Sequence, residues 1–161
     1  MPMIDTATVT DRRALKFNTP GELEADVARL VAADRAGTLR RTGNWTLGQT
    51  LGHLGSWAGY AHEGYPMHPP WFVRLFGRVF KKKMLANCSR AGFRIPRVAE
   101  GTYATEAVST DEGLARFSRA WDRMKREAPS IPNPLFGTLT HQEWIRMHLG
   151  HAELHLSFLH P

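Results

Sequence analysis

Apolar positions recur along this chain at helical rather than alternating spacing, and five segments carry the pattern. The first opens at Thr19-Pro20-Gly21-Glu22. Thr19 is placed to cap, Pro20 suits the first helical position, and Glu22 can reach back to the cap amide. Leu23, Val27, Leu30 and Val31 follow, which predicts a helix over 20–36. Thr46-Leu47-Gly48-Gln49 opens a second over 47–63 in the same way. In a third, over 70–85, Trp71, Phe72, Leu75, Phe76, Val79 and Phe80 share one side. Arg74, Arg78 and Lys81 hold its other side and Lys82-Lys83 ends it, so it reads as a core helix with a basic solvated face. Ser109-Thr110-Asp111-Glu112 leads through Leu114, Phe117, Trp121 and Met124 into a helix over 110–127, stopped by Pro129, Pro132 and Pro134. Thr140-His141-Gln142-Glu143 caps the last, over 140–159.

Between these segments, Arg12 to Asn18 reads as an extended stretch packed through Leu15 and Phe17, preceded by a flexible arm over residues 1–12. Residues 87–108 sustain no period and contain Gly92, Pro96 and Gly101, so they form a long crossover connection. With no alternating strand pair and no repeat, the expected fold class is all-α, a helical bundle in one domain spanning 1–161.

Two helices depart from a plain apolar stripe. In the second, Gly48, Gly52, Gly55 and Gly59 fall within about 60° of one direction. Each glycine costs a helix about 1 kcal/mol relative to alanine, so four on one face imply that another backbone comes close. On the other flank Gln49, His53, Ser56 and Tyr60 form a polar sector fit to line a site. The last helix places His148, His151 and His155 within about 60° of one another, together with Trp144. Burying several imidazoles is unfavourable unless each finds a hydrogen-bond or metal partner. His151 and His155 stand at i, i+4, where two helical side chains can grip one ion.

Composition narrows the picture further. The chain has 161 residues, 42% of them hydrophobic and 22% charged, enough for a full core. A formal charge of +6 is spread over dispersed Lys and Arg, and no reading motif for nucleic acid accompanies it. A single cysteine, Cys88, excludes an internal disulfide framework and fits a reducing compartment. No stretch reaches the length of a membrane span or the core of a secretion signal, so the expected location is cytoplasmic. There is no G-x-S-x-G elbow, no cysteine with a matching base, and no phosphate-binding glycine loop.

The run from Leu47 to Leu54 containing His53, followed late by His151-Ala152-Glu153-Leu154-His155, resembles the DinB/YfiT-like superfamily of metalloenzymes. GNWTLGQTLGHL, the region from Gly77-Arg78 to Lys83, FGTLTHQEW and HLGHAELHLSFL together look like an uncharacterised branch of it, from about Arg13 onward. The resemblance implies a DinB-like four-helix bundle with an additional helix. It also implies a metal held by His53, His151 and His155. Many members continue past the last ligand with Arg-Gly-Gln, where this chain has Leu156-Ser157-Phe158. His148 lies on the same face, as an alternative ligand or a group that hydrogen-bonds a ligand, water or substrate, and Trp57, Tyr60 and Trp144 are the expected pocket walls.

Relatives implied by the resemblance include thiol-dependent transferases and a mycothiol-dependent isomerase, but a fold alone does not decide among activities. Three neutral imidazoles suit Zn²⁺, the ion expected first, and equally Ni²⁺ or Fe²⁺, since ligand type does not choose among them. Three protein ligands leave a position for water or a thiol. The expected activity is therefore thiol transfer or hydrolysis on a small molecule, a low-molecular-weight thiol and a homodimer being further expected partners. The competing class is a non-catalytic bundle that binds a small ligand, or an anionic membrane surface through its third helix.

Overall fold

The computed structural model of the chain describes residues 4–87 and 102–161. Cys88 and most of the expected crossover connection lie outside the described residues. Those residues are 56% helical, with six helices and one two-stranded sheet among them. The order is α1 (Pro20–Arg35), β1 (Arg40–Arg41), α2 (Leu47–Glu63), α3 (Trp71–Val79), α4 (Lys81–Ala86), α5 (Thr110–Arg126), α6 (His141–Leu156) and β2 (Leu159–His160).

Each long helix starts where its cap chemistry dictates. Thr46 and Thr140 form complete reciprocal boxes with Gln49 and Glu143. Thr19 and Ser109 accept from the amides of Glu22 and Glu112. Their partners' carboxylates go elsewhere: Glu22 accepts from the Asn18 amide and Glu112 from Arg116. The main core is built from all four long helices, through Leu23, Leu30, Leu51, Leu54, Phe117, Trp121, Leu149 and Leu156. A smaller cluster around Ala58, Ala61, Leu85, Met124 and Trp144 lies beside it.

The glycine stripe seats α2 against α5 and the residues that lead into it. A Cβ built on Gly48 would lie 2.3 Å from the Val108 carbonyl oxygen, and one on Gly113 2.3 Å from the Gly48 carbonyl oxygen. At Gly55 it would lie 2.7 Å from the Arg116 carbonyl carbon and the Phe117 nitrogen. Gly52 faces only a Val108 methyl at 3.1 Å, and Gly59 faces open space. Three of the four glycines thus permit the close approach, and Gly59 does not take part.

The extended segment ahead of α1 lies between that helix and α6. Phe17 is buried, and the buried Asp26 carboxylate accepts from both Arg13 Nη atoms at 2.8 and 2.7 Å and from Arg29 at 2.7 Å. Farther out, Ile4 exchanges backbone hydrogen bonds of 2.8 Å with the Asn44 side chain.

Two helices differ from the spacing-based expectation. The last stops at Leu156 rather than 159. Leu159–His160 instead pairs antiparallel with Arg40–Arg41, and the Thr42 amide donates to the Phe158 carbonyl at 2.9 Å. Leaving the helix lets Leu159 reach the main core. The third helix breaks at Phe80 into α3 and α4, and its large apolar side is not core. Trp71 is 74% exposed and Val79 68%. α3 packs through its small side, since a Cβ on Gly77 would lie 2.6 Å from the Leu135 carbonyl oxygen, while Leu85 of α4 takes the buried position.

Candidate metal centre

His53 sits in the middle of α2, and His151 and His155 one turn apart near the end of α6. The structure brings these three together. His53 Nε2 lies 3.1 Å from His151 Nε2, and His155 Nε2 lies 3.0 Å from the same atom. One nitrogen from each ring falls within 4.8 Å of the others, a grouping able to hold a metal ion.

The remaining nitrogen of His53 decides its tautomer. Nδ1–H donates to the Tyr103 carbonyl at 2.9 Å, which leaves Nε2 with a lone pair aimed at the cluster. That carbonyl also accepts from Trp57 Nε1 at 3.4 Å, and Gln49 Nε2 donates to the Thr105 carbonyl at 3.2 Å. Gln49 and His53 of the α2 polar sector, with Trp57 beside them, therefore bind the backbone of residues 103–105. The next residue, Ala104, has φ 58°, a left-handed conformation unusual for a residue with a Cβ. It turns the chain where the Tyr103 carbonyl meets His53.

Aromatic rings enclose the imidazoles. Trp45 stacks on His155 with centroids 4.9 Å apart and planes within 13°, and tilts against His53 at 4.8 Å. Trp57 lies 5.4 Å from His151 and 5.8 Å from His53. Tyr60 is one ring farther out, 6.2 Å from Trp57. The ring contacts of Trp144 are with Tyr65 and His148, not with the three clustered imidazoles. His148 is 3% exposed, and its Nε2 has no hydrogen-bond partner among the described residues.

Burial sets the protonation states. Desolvation holds His53 down to about 4, against the opposing pull of the Tyr103 carbonyl. His151 is pushed well below the ordinary imidazole range by burial and then by His155, His53 and His148. His155 is lowered by burial, with His53 and the Arg12 guanidinium adding to it. At neutral pH all three are uncharged, the form that offers a lone pair. The nearest acid in the sequence plays another part. Glu153 lies about 200° around the helix from His151 and accepts from the Phe17 amide at 2.8 Å and from Arg146 at 2.7 Å.

Two contributors have no signature in the helical spacing. Trp45 precedes the cap of α2, a position where an apolar residue ordinarily staples the helix start; here it covers His155 instead. Tyr103 acts through its backbone, which no side-chain pattern reveals.

A family model described as a protein of unknown function, DUF1569, matches residues 9–161, and the chain belongs to that family. No curated protein and no solved structure matches it.

Proposed function

We propose that this DUF1569 protein is a metal-dependent enzyme built as a DinB-like four-helix bundle, with His53, His151 and His155 as ligands of one divalent ion. The convergence of three imidazole nitrogens from two helices carries this reading. His151 Nε2 has room for one proton or one lone pair, yet two other ring nitrogens face it. A single cation satisfies all three lone pairs together. With two nitrogens 3.0 and 3.1 Å from His151 Nε2 and all three within 4.8 Å of one another, one ion could reach all three donors. Zinc is the ion we favour, and nickel or iron would fit the same donors.

Such an ion leaves a position for water or a substrate thiol and supplies Lewis acidity there, as thiol transfer or hydrolysis of a small molecule requires. The chain's own residues prepare that position. Tyr103 fixes the His53 tautomer, Trp45 and Trp57 pack against the imidazoles, and Tyr60 stands beyond Trp57 on the way out. His148 lies behind Trp144 as a supporting group. We assign this activity to a single domain over 1–161 working in the cytoplasm.

Elemental analysis of protein purified without a histidine tag tests the reading. It should give about one ion per chain. His53→Ala, His151→Ala and His155→Ala should each lose the ion, and His148→Ala should lose less, with circular dichroism checking the fold. Co²⁺ loading should give a visible d–d spectrum that disappears in the same three variants. Unchanged metal content in folded His155→Ala would refute the proposal.

A further inference from the structure

An amphipathic helix of a globular protein ordinarily turns its large apolar residues inward. In α3 the arrangement is reversed. Successive residues advance by about 100°, so Trp71, Phe72, Leu75, Phe76, Val79 and Phe80 cover a continuous arc of about 180°. All six are exposed. The inward direction belongs to Val73 and the buried Gly77, which rests on the turn at Leu135. Scattered single apolar residues on a surface need no explanation, but a contiguous aromatic face does.

Its charged surroundings show what fits there. Residues 71–86 contain Arg74, Arg78, Lys81, Lys82 and Lys83, and no Asp or Glu. Lys81 pairs with Glu143 at 2.8 Å, whereas Arg74, Arg78, Lys82 and Lys83 have no acidic partner among the described residues. Arg74 and Arg78 run along one edge of the apolar arc, adjoining Trp71. A second copy packed antiparallel on this face about a two-fold axis would set these cations against their own counterparts. A surface of acidic phospholipid would complement them, with the aromatic rings entering at head-group depth.

We propose that α3 docks the protein on anionic membrane surfaces, lying in the interface plane with Trp71, Phe72 and Phe76 inserted and Arg74 and Arg78 on the lipid phosphates. Among the described residues no helix is long and apolar enough to cross a membrane, and the proposed contact is a peripheral one. The inference is independent of the metal centre.

The full chain is sedimented with vesicles of phosphatidylcholine alone and of a two-to-one mixture with phosphatidylserine. It should pellet with the mixed vesicles, leave pure phosphatidylcholine largely unbound, and dissociate as salt is raised. Arg74→Glu/Arg78→Glu should weaken partitioning by roughly tenfold or more. Phe72→Ser/Phe76→Ser should weaken it comparably, with circular dichroism unchanged in both. Brominated acyl chains should quench tryptophan emission in the wild type and lose that effect in Trp71→Phe. Failure of the wild type to pellet with phosphatidylserine vesicles overturns the proposal, as does pelleting that neither double variant reduces. Sedimentation equilibrium showing a dimer that Phe72→Ser/Phe76→Ser dissolves, without vesicle binding, would assign the face to a second copy and overturn it equally.

Discussion

Alanine placed at successive glycines of α2 should give opposite signs within one helix. In a free helix each Gly→Ala change is favourable by about 1 kcal/mol. Gly59→Ala meets nothing within 4 Å, so it should realise most of that gain. Gly52→Ala presses on a Val108 methyl at 3.1 Å, a contact that a small adjustment relieves, so it should be close to neutral. Gly55→Ala sets its Cβ 2.7 Å from backbone atoms of Arg116 and Phe117, well inside the 3.4 Å where ordinary contact begins. Two helix backbones must then separate, and overpacking of this kind costs about 1–3 kcal/mol, enough to outweigh the propensity gain. Urea unfolding followed by circular dichroism should therefore rank Gly59→Ala above wild type and Gly55→Ala below it, at similar m-values. For a chain of this size each kcal/mol moves the thermal midpoint by roughly 2–4 °C. Gly52→Leu, with a longer side chain against Val108, should lose roughly 1–3 kcal/mol. Equal shifts for Gly55→Ala and Gly59→Ala would refute the claim that backbone proximity explains the stripe.

Further outcomes follow from buried groups near the cluster. Burial holds His148 down to about 3, so the folded protein refuses a proton that the unfolded chain accepts near the ordinary imidazole pKa. The His148 contribution to stability should be full above about pH 6.5 and fall by up to ~1.4 kcal/mol per pH unit on acidification toward 3, beside like contributions from His53, His151 and His155. His148→Phe should flatten that slope in metal-free protein, as acid titration of the unfolding midpoint would show. Ala104→Gly should relieve the left-handed backbone and stabilise by up to about 1 kcal/mol without loss of fold, measured by thermal melting. Glu153→Ala strips a buried carboxylate from Arg146 and the Phe17 amide and should cost about 3 kcal/mol. Metal content of the folded fraction should not change in that variant, because Glu153 faces away from the imidazoles.

What was legible in the chain was chiefly local chemistry. Thr19, Thr46, Ser109 and Thr140 mark helix starts because a cap depends on residues three apart in sequence. The i, i+4 relation of His151 and His155 is likewise a property of one helix. That α3 turns Trp71 outward was not legible, since an amphipathic period gives two faces without saying which one a neighbour covers. The end of α6 was misplaced for a similar reason. Leu159 fits the helical period, but its pairing with Arg41 depends on a strand more than a hundred residues earlier. Trp45 on His155 and the Tyr103 carbonyl on His53 are contacts between elements, set by how α2, α6 and the 103–105 backbone dock.

His53 and His151 stand 98 residues apart, and nothing local holds their nitrogens 3.1 Å from each other. Their proximity depends on the register of α2 against α6, and hence on the main core. Partial openings should thus fall into two kinds. Loosening of α3 can leave the imidazoles in place, whereas any opening that separates α2 from α6 scatters them. Proton exchange or fluorescence at Trp45 and Trp57 would then track cooperative unfolding of the whole core, and changes confined to Trp71 would track only the outer helix. The cluster is in this sense a gauge of global integrity, set where two distant parts of the chain meet.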